Sequence, residues 1–420
     1  MTNYKKREIT PLLADAMETM PVVVITGMRQ VGKSTLLEQE KLFKGMEYYT
    51  LDDFAVLEAV RNDPEELLSD RGPVCIDEAQ KCPEIFTVIK RLVDKDRTPG
   101  RFILSGSANF MLLKEVTESL AGRAIYFELH PFTQREITGS TGTKPFIPEF
   151  FTTLKIPGKH KYKKLTSKDI LSGGMPSVCL KQVKKPEIWF RGYEQTYLER
   201  DMRDLSQVGD LVAFHSLIQL AALRTGQVLN ISELGRDAKL NSRTASRYLD
   251  LMETSFLIKK LTPYLSNRSS RLIKSPKLYF SDSGLACHLS GIDLDIGHSK
   301  HDAQHSTQNY GNGSFPGSMT ETYIAQNLSA IIESHLPDGR LHYWHVQGRH
   351  EVDFIIEHKR ETLAIEIKSA GRWNTHDFAG LKAFLKTTPN CKAAILAYNG
   401  TKAVKLEEKI FAIPIGMLLG

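Results

Sequence analysis

Gly27-Met-Arg-Gln-Val-Gly-Lys-Ser34 decides the fold of this chain. Gly27 opens the segment and Gly32-Lys33-Ser34 closes it, which meets the pattern G-x-x-x-x-G-K-[ST] at every required position. The surroundings meet it too. Val22 to Thr26 (VVVIT) is a short apolar run that reads as a buried parallel strand, and Ser34 to Glu40 reads as a helix. Glycines let backbone N–H groups close around phosphate oxygens, and a helix N-terminus adds partial positive charge. Lys33 is expected to reach the β- and γ-phosphates and Ser34 to ligate Mg²⁺. The expected ligands are therefore ATP and Mg²⁺, held along Gly27, Met28, Arg29, Gln30, Val31, Gly32, Lys33, Ser34 and Thr35.

Three further stretches extend the site. Val74-Cys-Ile-Asp77-Glu78 is an apolar strand ending in two acids. Asp77 is expected to hold Mg²⁺ through water and Glu78 to polarise the attacking water as a general base. Phe102-Ile-Leu-Ser105-Gly-Ser107 reads as a strand with hydroxyls at its tip, placing Ser105 or Ser107 near the γ-phosphate; ordinary turn serines are the alternative. Arg123, in Leu120-Ala-Gly-Arg123, is a candidate for stabilising transition-state charge, in cis or from a neighbouring subunit, with a surface ion pair as the alternative.

Apolar runs at Tyr48–Leu51, Val74–Ile76, Phe102–Leu104 and Ile125–Leu129 alternate with helical patterns such as Ile85–Val93. This alternation predicts an α/β sheet with covering helices over residues 1–138. Residues 139–205 read as an insertion loop, rich in Gly, Thr, Pro and Lys between Thr138 and Lys164, followed by a helical lid. Residues 206–285 read as a winged helix-turn-helix. Residues 286–318, with GHSKHDAQHSTQNYGNGSFPGS, read as a flexible linker, and 319–420 as a final α/β unit.

The chain of 420 residues is 41% hydrophobic and 25% charged, which places it among folded globular proteins rather than disordered ones. A net charge of +6 permits nucleic-acid contact without requiring it. Its five cysteines form no CxxC pair, which argues against a zinc site or disulfide framework and for reduced, buried thiols. Neither a secretory leader nor an apolar run of about 18 residues is visible, so the expected location is the cytoplasm.

Taken together, GMRQVGKST, CIDEAQKCP and FILSGSANFMLL, followed by SLAGR and ELHPFTQRE, resemble the bacterial and archaeal AAA-type ATPases that carry a C-terminal domain of unknown function. The later matches are GGMPSV (Gly173 to Val178), YLERDMRDL, SRYLDLMETSFLIKKLTPY, ETYIAQNL, EVDFII and AIEIKSA. This resemblance implies a P-loop core in which the strand carrying Ser105 lies between those leading to Lys33 and Asp77. It also implies that Gly27, Arg29, Gln30, Gly32, Lys33, Ser34 and Thr35 touch nucleotide, and that Asp77 and Glu78 are the metal and catalytic acids. The loop 138–164 and the linker are long beside that pattern.

Two output modules are legible. Ile231 to Leu240 and Asn241 to Glu253 have the spacing of a helix-turn-helix, the second helix burying Ala245, Tyr248, Leu249 and Met252. Arg243, Thr244 and Arg247 would then project as candidate DNA contacts, with Lys259, Lys260, Arg268 and Arg271 reaching phosphates from a wing. In the last unit, Glu321, Asp353, Glu366 and Lys368 resemble the D…ExK arrangement of restriction-endonuclease-like folds, a candidate Mg²⁺-dependent nuclease site. The alternative for both is a fold kept for protein contacts, without DNA binding or cleavage. The expectation is an ATP-hydrolysing switch acting on DNA or on a protein client, with the lid at roughly 167–205 moving against the core.

Overall fold

The computed structural model describes residues 4–68, 72–106, 118–158, 162–198, 210–265, 267–292, 316–346 and 349–420. The chain divides into two compact units, residues 1–131 with 254–257 and residues 132–253 with 258–420.

Short Val-, Ile- and Phe-rich runs become the sheet of the first unit because both faces of each run need cover. Its strands are β1 (Val22–Thr26), β2 (Glu47–Thr50), β3 (Val74–Asp77), β4 (Phe102–Ser105) and β5 (Ala124–Glu128). Their order is β2-β3-β4-β1-β5, and every pair runs parallel. β4 therefore lies between the strand before the glycine loop and the strand ending at Asp77, as expected. The helix Glu84–Lys95 covers one face by burying Ile85, Phe86, Ile89, Leu92 and Val93, an i, i+3, i+4 pattern, against Val24, Ile76 and Phe102. Glu84 in its first turn and Lys95 in its last both favour the helix dipole. Each such apolar side chain contributes about 1.5–3 kcal/mol by leaving water. All five β1 residues are buried, so the loop that follows springs from a fixed base.

In the second unit, helices Leu211–Leu223, Ile231–Asp237 and Ser242–Thr254 precede the antiparallel pair β6 (Ile258–Leu261) and β7 (Lys277–Phe280). Asp210 and Asn230 cap the first two helices by accepting from the backbone N–H groups of Ala213 and Glu233. Ala245, Tyr248, Leu249 and Met252 are buried as the spacing predicts, Tyr248 meeting Phe214 edge-on at 5.1 Å.

The helix Gly317–His335 then leads into β8 (Arg340–Val346), β9 (His350–His358), β10 (Glu361–Lys368), the helix Ala379–Thr387, β11 (Cys391–Tyr398), β12 (Val404–Lys405) and β13 (Ile410–Pro414). The six strands order as β12-β13-β11-β10-β9-β8. β8, β9 and β10 form an antiparallel meander, and β11 joins β10 in parallel after the helical crossover. Tyr264, Trp344, Phe378, Leu381 and Phe384 pack its core.

The structure bears on three of the expected segments. The stretch 138–164 is not a loop throughout: it contains the helix Phe146–Thr153, which buries Phe146, Ile147, Phe150 and Phe151. Phe150 packs edge-on against Phe411 at 5.0 Å, so aromatic burial supplies order that the Gly and Thr content concealed. The segment expected as a lid lies within the second compact unit, as helices Ser167–Ser172, Pro176–Cys179 and Pro186–Tyr193. Of the expected linker 286–318, residues 293–315 lie outside the described residues, while its ends belong to helices Ser283–Leu289 and Gly317–His335.

The GGMPSV stretch has a local reason. The N–H of Gly174 donates to Asp282 Oδ2 at 2.6 Å, and its carbonyl accepts from the N–H of Phe132 at 2.7 Å. A Cβ on Gly174 would lie 2.3 Å from Gln326 Nε2 and 2.4 Å from the Phe132 carbonyl, so no larger residue fits.

All five cysteines are buried and free. Among the described residues no helix is long and apolar enough to cross a membrane.

Candidate functional site

The glycine loop leaves β1 with a backbone that L-residues rarely adopt. Gly27 has φ 144°, Gln30 φ 60° and Gly32 φ 96°. A Cβ on Gly27 would lie 2.4 Å from the Leu129 carbonyl oxygen, so the pass between β1 and the end of β5 admits only glycine. Gly32 then caps the helix Lys33–Gln39 in a left-handed conformation, leaving that helix N-terminus facing the loop. Met28 and Val31 are buried and anchor the loop from beneath, while Arg29, Gln30, Ser34 and Thr35 remain partly or wholly accessible.

Lys33 is 5% exposed, and its ammonium donates to the carbonyls of Gly27 at 3.1 Å and Met28 at 2.8 Å. A buried ammonium held over a loop of this shape is a ready counter-charge for phosphate. Asp77 closes β3 and is 2% exposed. Its Oδ2 accepts from the Tyr48 phenol at 3.0 Å, and its Oδ1 accepts from the Ser105 hydroxyl. Burial and the Asp77 charge hold the Tyr48 phenol well above its ordinary pKa, so it keeps its proton. Glu78, one residue past the strand, takes φ 54° and ψ 38°, and its Oε2 accepts from Gln80 Nε2 at 2.5 Å. A non-glycine residue in that region is uncommon and clusters at functional sites.

These features fit a magnesium nucleotide. A glycine-only cradle, a buried ammonium, and a hydroxyl tied to a buried carboxylate stand at the C-terminal edge of one parallel sheet. Two contributors were not read from the sequence. Arg7, in the run KKRE that looks like a solvated charge cluster, is 4% exposed and donates to the carbonyls of Val31 at 2.8 Å and His130 at 2.5 Å. Tyr48 looks like an ordinary strand aromatic. Neither carries a local sequence signal, since both act across long separations.

Ser105 is fully buried and its hydroxyl goes to Asp77, so it meets the site through that acid rather than as an open hydroxyl at the strand tip. Ser107 lies outside the described residues. Arg123 does not fit the expected role in cis. Its carbonyl accepts from the N–H of Val22, at the start of β1, whereas the glycine loop follows the end of that strand. Its guanidinium forms a two-bond pair with Asp94, at 2.7 and 2.8 Å.

The C-terminal unit brings Glu321, Asp353, Glu366 and Lys368 towards one region, and adds two residues that sequence reasoning passed over. Lys277, on β7, is 3% exposed. Its ammonium contacts Glu351 and lies 3.7 Å from Asp353 and 3.9 Å from Glu321. Tyr279, on the same strand, donates to Glu321 at 3.3 Å. Asp353 Oδ2 accepts from the N–H of Ile367 at 2.8 Å, and Lys368 pairs with Glu366 at 3.4 Å and Asp377 at 3.7 Å. Burial, reinforced by Asp353, pushes Glu321 up to about 8 and Glu366 up to about 9; burial also raises Asp353. The expected metal-ligand arrangement is not assembled. Among the described residues no group of three or more His, Cys, Asp or Glu is disposed to hold a metal ion, and the Lys277 ammonium lies among three of the acids.

On the helix Ser242–Thr254, Arg243 and Arg247 are exposed and Thr244 is half-buried. The expected wing contacts are corrected. Lys260 pairs with Asp250 at 2.6 Å and Glu253 at 3.0 Å. Arg271 is buried, pairing with Glu357 at 2.5 Å and lying 4.4 Å from the Tyr264 ring centroid. Both charges are satisfied within the fold. The side chain of Arg268 lies outside the description.

The strand order, glycine cradle and strand-end acid define a P-loop nucleotide-binding domain, in which the β4 strand separates the two phosphate-site strands. Residues 19–138 match the family model described as an AAA domain. Residues 163–295 match a domain of unknown function (DUF8612), and 316–418 another (DUF4143). The chain thus carries an AAA-type P-loop domain followed by a C-terminal DUF4143 domain. It is similar to an uncharacterized protein of Mycobacterium tuberculosis, 29% identical over 419 residues, covering 99% of this chain and 85% of that one. An uncharacterized protein of Haemophilus influenzae is 24% identical over 299 residues, covering 64% and 69% respectively. Among solved structures, the Walker-type ATPase of Pyrococcus abyssi matches with TM-score 0.42 at 14% identity, covering 69% of this chain and 99% of that one. The RuvB Holliday junction branch migration motor of Thermotoga maritima matches with TM-score 0.29 at 14% identity, covering 64% and 95%.

Proposed function

We propose that this chain binds ATP with Mg²⁺, hydrolyses it, and uses the cycle as a switch acting on DNA through its winged helix. The observation that carries the nucleotide half is the glycine-only loop joined to a buried Lys33 and to a buried Asp77 held by Tyr48 and Ser105. Lys33 exchanges its carbonyl partners for β- and γ-phosphate oxygens. Ser34 and Asp77 would hold the ion, whose charge would offset that of the phosphate oxygens. Glu78, poised just beyond β3, takes a proton from the attacking water. The DNA half is supported by the exposed Arg243 and Arg247 on the second helix of a capped helix-turn-helix.

Glu78→Gln is the direct test. It is expected to keep nucleotide affinity and to lose phosphate release by at least about a hundredfold. Unchanged turnover removes the catalytic assignment. For the DNA half, gel-shift affinity in a salt series is expected to fall steeply for the wild type, with a shallower slope for Arg243→Ala/Arg247→Ala.

One observation favours a second output. Lys277 fills the space among Glu321, Glu351 and Asp353, and Lys260 and Arg271 are paired internally. Such a C-terminal unit suits a nucleotide-gated protein-interaction switch that does not cleave DNA. Absence of Mg²⁺-dependent nicking in the full chain, together with a flat salt series, selects this reading. Nicking that disappears in Asp353→Ala selects the nuclease.

A further inference from the structure

Residues 4–10 are tied to both ends of the unit formed by the glycine loop and the helix Lys33–Gln39. The buried Arg7 guanidinium donates to the Val31 carbonyl at 2.8 Å and to the His130 carbonyl at 2.5 Å. Val31 precedes Gly32 at the end of the loop, and His130 lies just past β5. Glu40, the buried C-cap residue of the helix, holds the other end. Its Oε2 accepts from the Tyr4 phenol at 3.0 Å and from the Thr10 hydroxyl at 3.3 Å.

Peptide geometry gives the Arg7 tie a consequence. In a trans peptide the carbonyl and the next N–H point in opposite directions. No peptide bond among the described residues is cis. With its carbonyl held on Arg7, the Val31–Gly32 peptide turns the Gly32 N–H away from the guanidinium. The start of the loop is registered separately, since Gly27 passes the Leu129 carbonyl where no Cβ fits. The two ends of the loop are thus referenced to two consecutive carbonyls at the exit of β5. A planar guanidinium suits this bridge, because its donors form a rigid fork and its charge does not titrate.

We propose that Arg7 is a positioning residue of the nucleotide site, holding the Val31–Gly32 peptide so that the Gly32 N–H faces phosphate. The proposal rests on the reading above that the loop grips a nucleotide. Arg7 acts through the loop, and Tyr4 and Thr10 brace the same loop–helix unit through Glu40.

The test uses the full chain, calorimetric titration with ATP and Mg²⁺, and hydrogen exchange read peptide by peptide without nucleotide. Arg7→Ala is expected to lose ATP affinity about tenfold, the loss expected for one hydrogen bond to a charged acceptor. Exchange over residues 27–35 is expected to rise while β3 and β4 keep their wild-type rates. Arg7→Lys keeps the charge without the fork and is expected to stay near Arg7→Ala in both readouts. It also carries the test should Arg7→Ala fail to fold. Arg101→Ala removes a guanidinium at the opposite end of the sheet, where Arg101 pairs with Asp96 at 3.4 Å before β4 begins. Its ATP affinity is expected to match wild type. Wild-type affinity in Arg7→Ala overturns the proposal. So does wild-type affinity in Arg7→Lys, which makes charge alone sufficient. A rise in exchange spread evenly over β3 and β4 also overturns it, since that marks general loosening. A wild-type chain that gives no heat with ATP and Mg²⁺ fails the nucleotide reading itself, a result seen without any variant.

Discussion

Replacing Lys277 by methionine isolates one charge whose surroundings are fully specified. The ammonium lies 3.7 Å from Asp353 and 3.9 Å from Glu321, and it touches Glu351. At such separations and an effective dielectric near 20, each of the first two attractions is about 4 kcal/mol. The Glu351 side chain is 44% exposed, so water screens that pair to below about 1 kcal/mol. Burying the ammonium offsets much of this gain, and the net cost of deleting one partner of a buried pair is about 3–5 kcal/mol. Methionine fills a similar volume, so packing changes little. The sign with pH follows from the carboxyls. Burial raises Asp353 and lifts Glu321 to about 8, whereas an unfolded glutamate titrates near 4.5. The folded state thus holds protons that the unfolded state releases. That contribution is complete below about 4.5 and is lost as pH rises through about 8. Lys277 lowers both carboxyls, so its removal raises them further and deepens the loss at high pH. Urea unfolding of the full chain, followed by the buried Trp344, is expected to show the Lys277→Met deficit at pH 8.5 and most of it recovered at pH 5. An equal deficit at both pH values would refute the electrostatic reasoning and assign the loss to packing. No deficit at either pH would show that the ammonium is dispensable.

Lys33→Ala is expected to weaken ATP binding at least about a hundredfold with the fold intact, checked by calorimetry beside a thermal melt. Gly27→Ala places a Cβ 2.4 Å from the Leu129 carbonyl at φ 144°; it is expected to cost nucleotide affinity more than global stability, read by binding and by the unfolding midpoint together. Phe150→Ala removes a fully buried ring packed on Phe411 and is expected to destabilise the second unit by about 3–5 kcal/mol, measurable by denaturant titration.

Composition misled in one direction and locality limited the rest. Residues 138–164 are rich in turn formers, yet Phe146, Phe150 and Phe151 find a buried surface that no local pattern announces. The wing lysines and arginines look interchangeable along the sequence. Only the packed structure separates the paired Lys260 and the buried Arg271 and Lys277 from the exposed Arg243 and Arg247.

What the sequence determined by itself was the phosphate loop, its flanking strand and helix, and the register of the helix-turn-helix. Torsion angles, caps and apolar periodicity act over eight or so neighbouring residues, so contiguous residues suffice to specify them. What tertiary structure alone decided was the company each charge keeps. Tyr48 meets Asp77 across a separation of 29 residues, and Arg7 meets His130 across 123. Lys277 meets its acids across strands and a helix that local rules do not order. Charge and hydrogen-bond energies depend on distance and burial, and both exist only once the chain has folded.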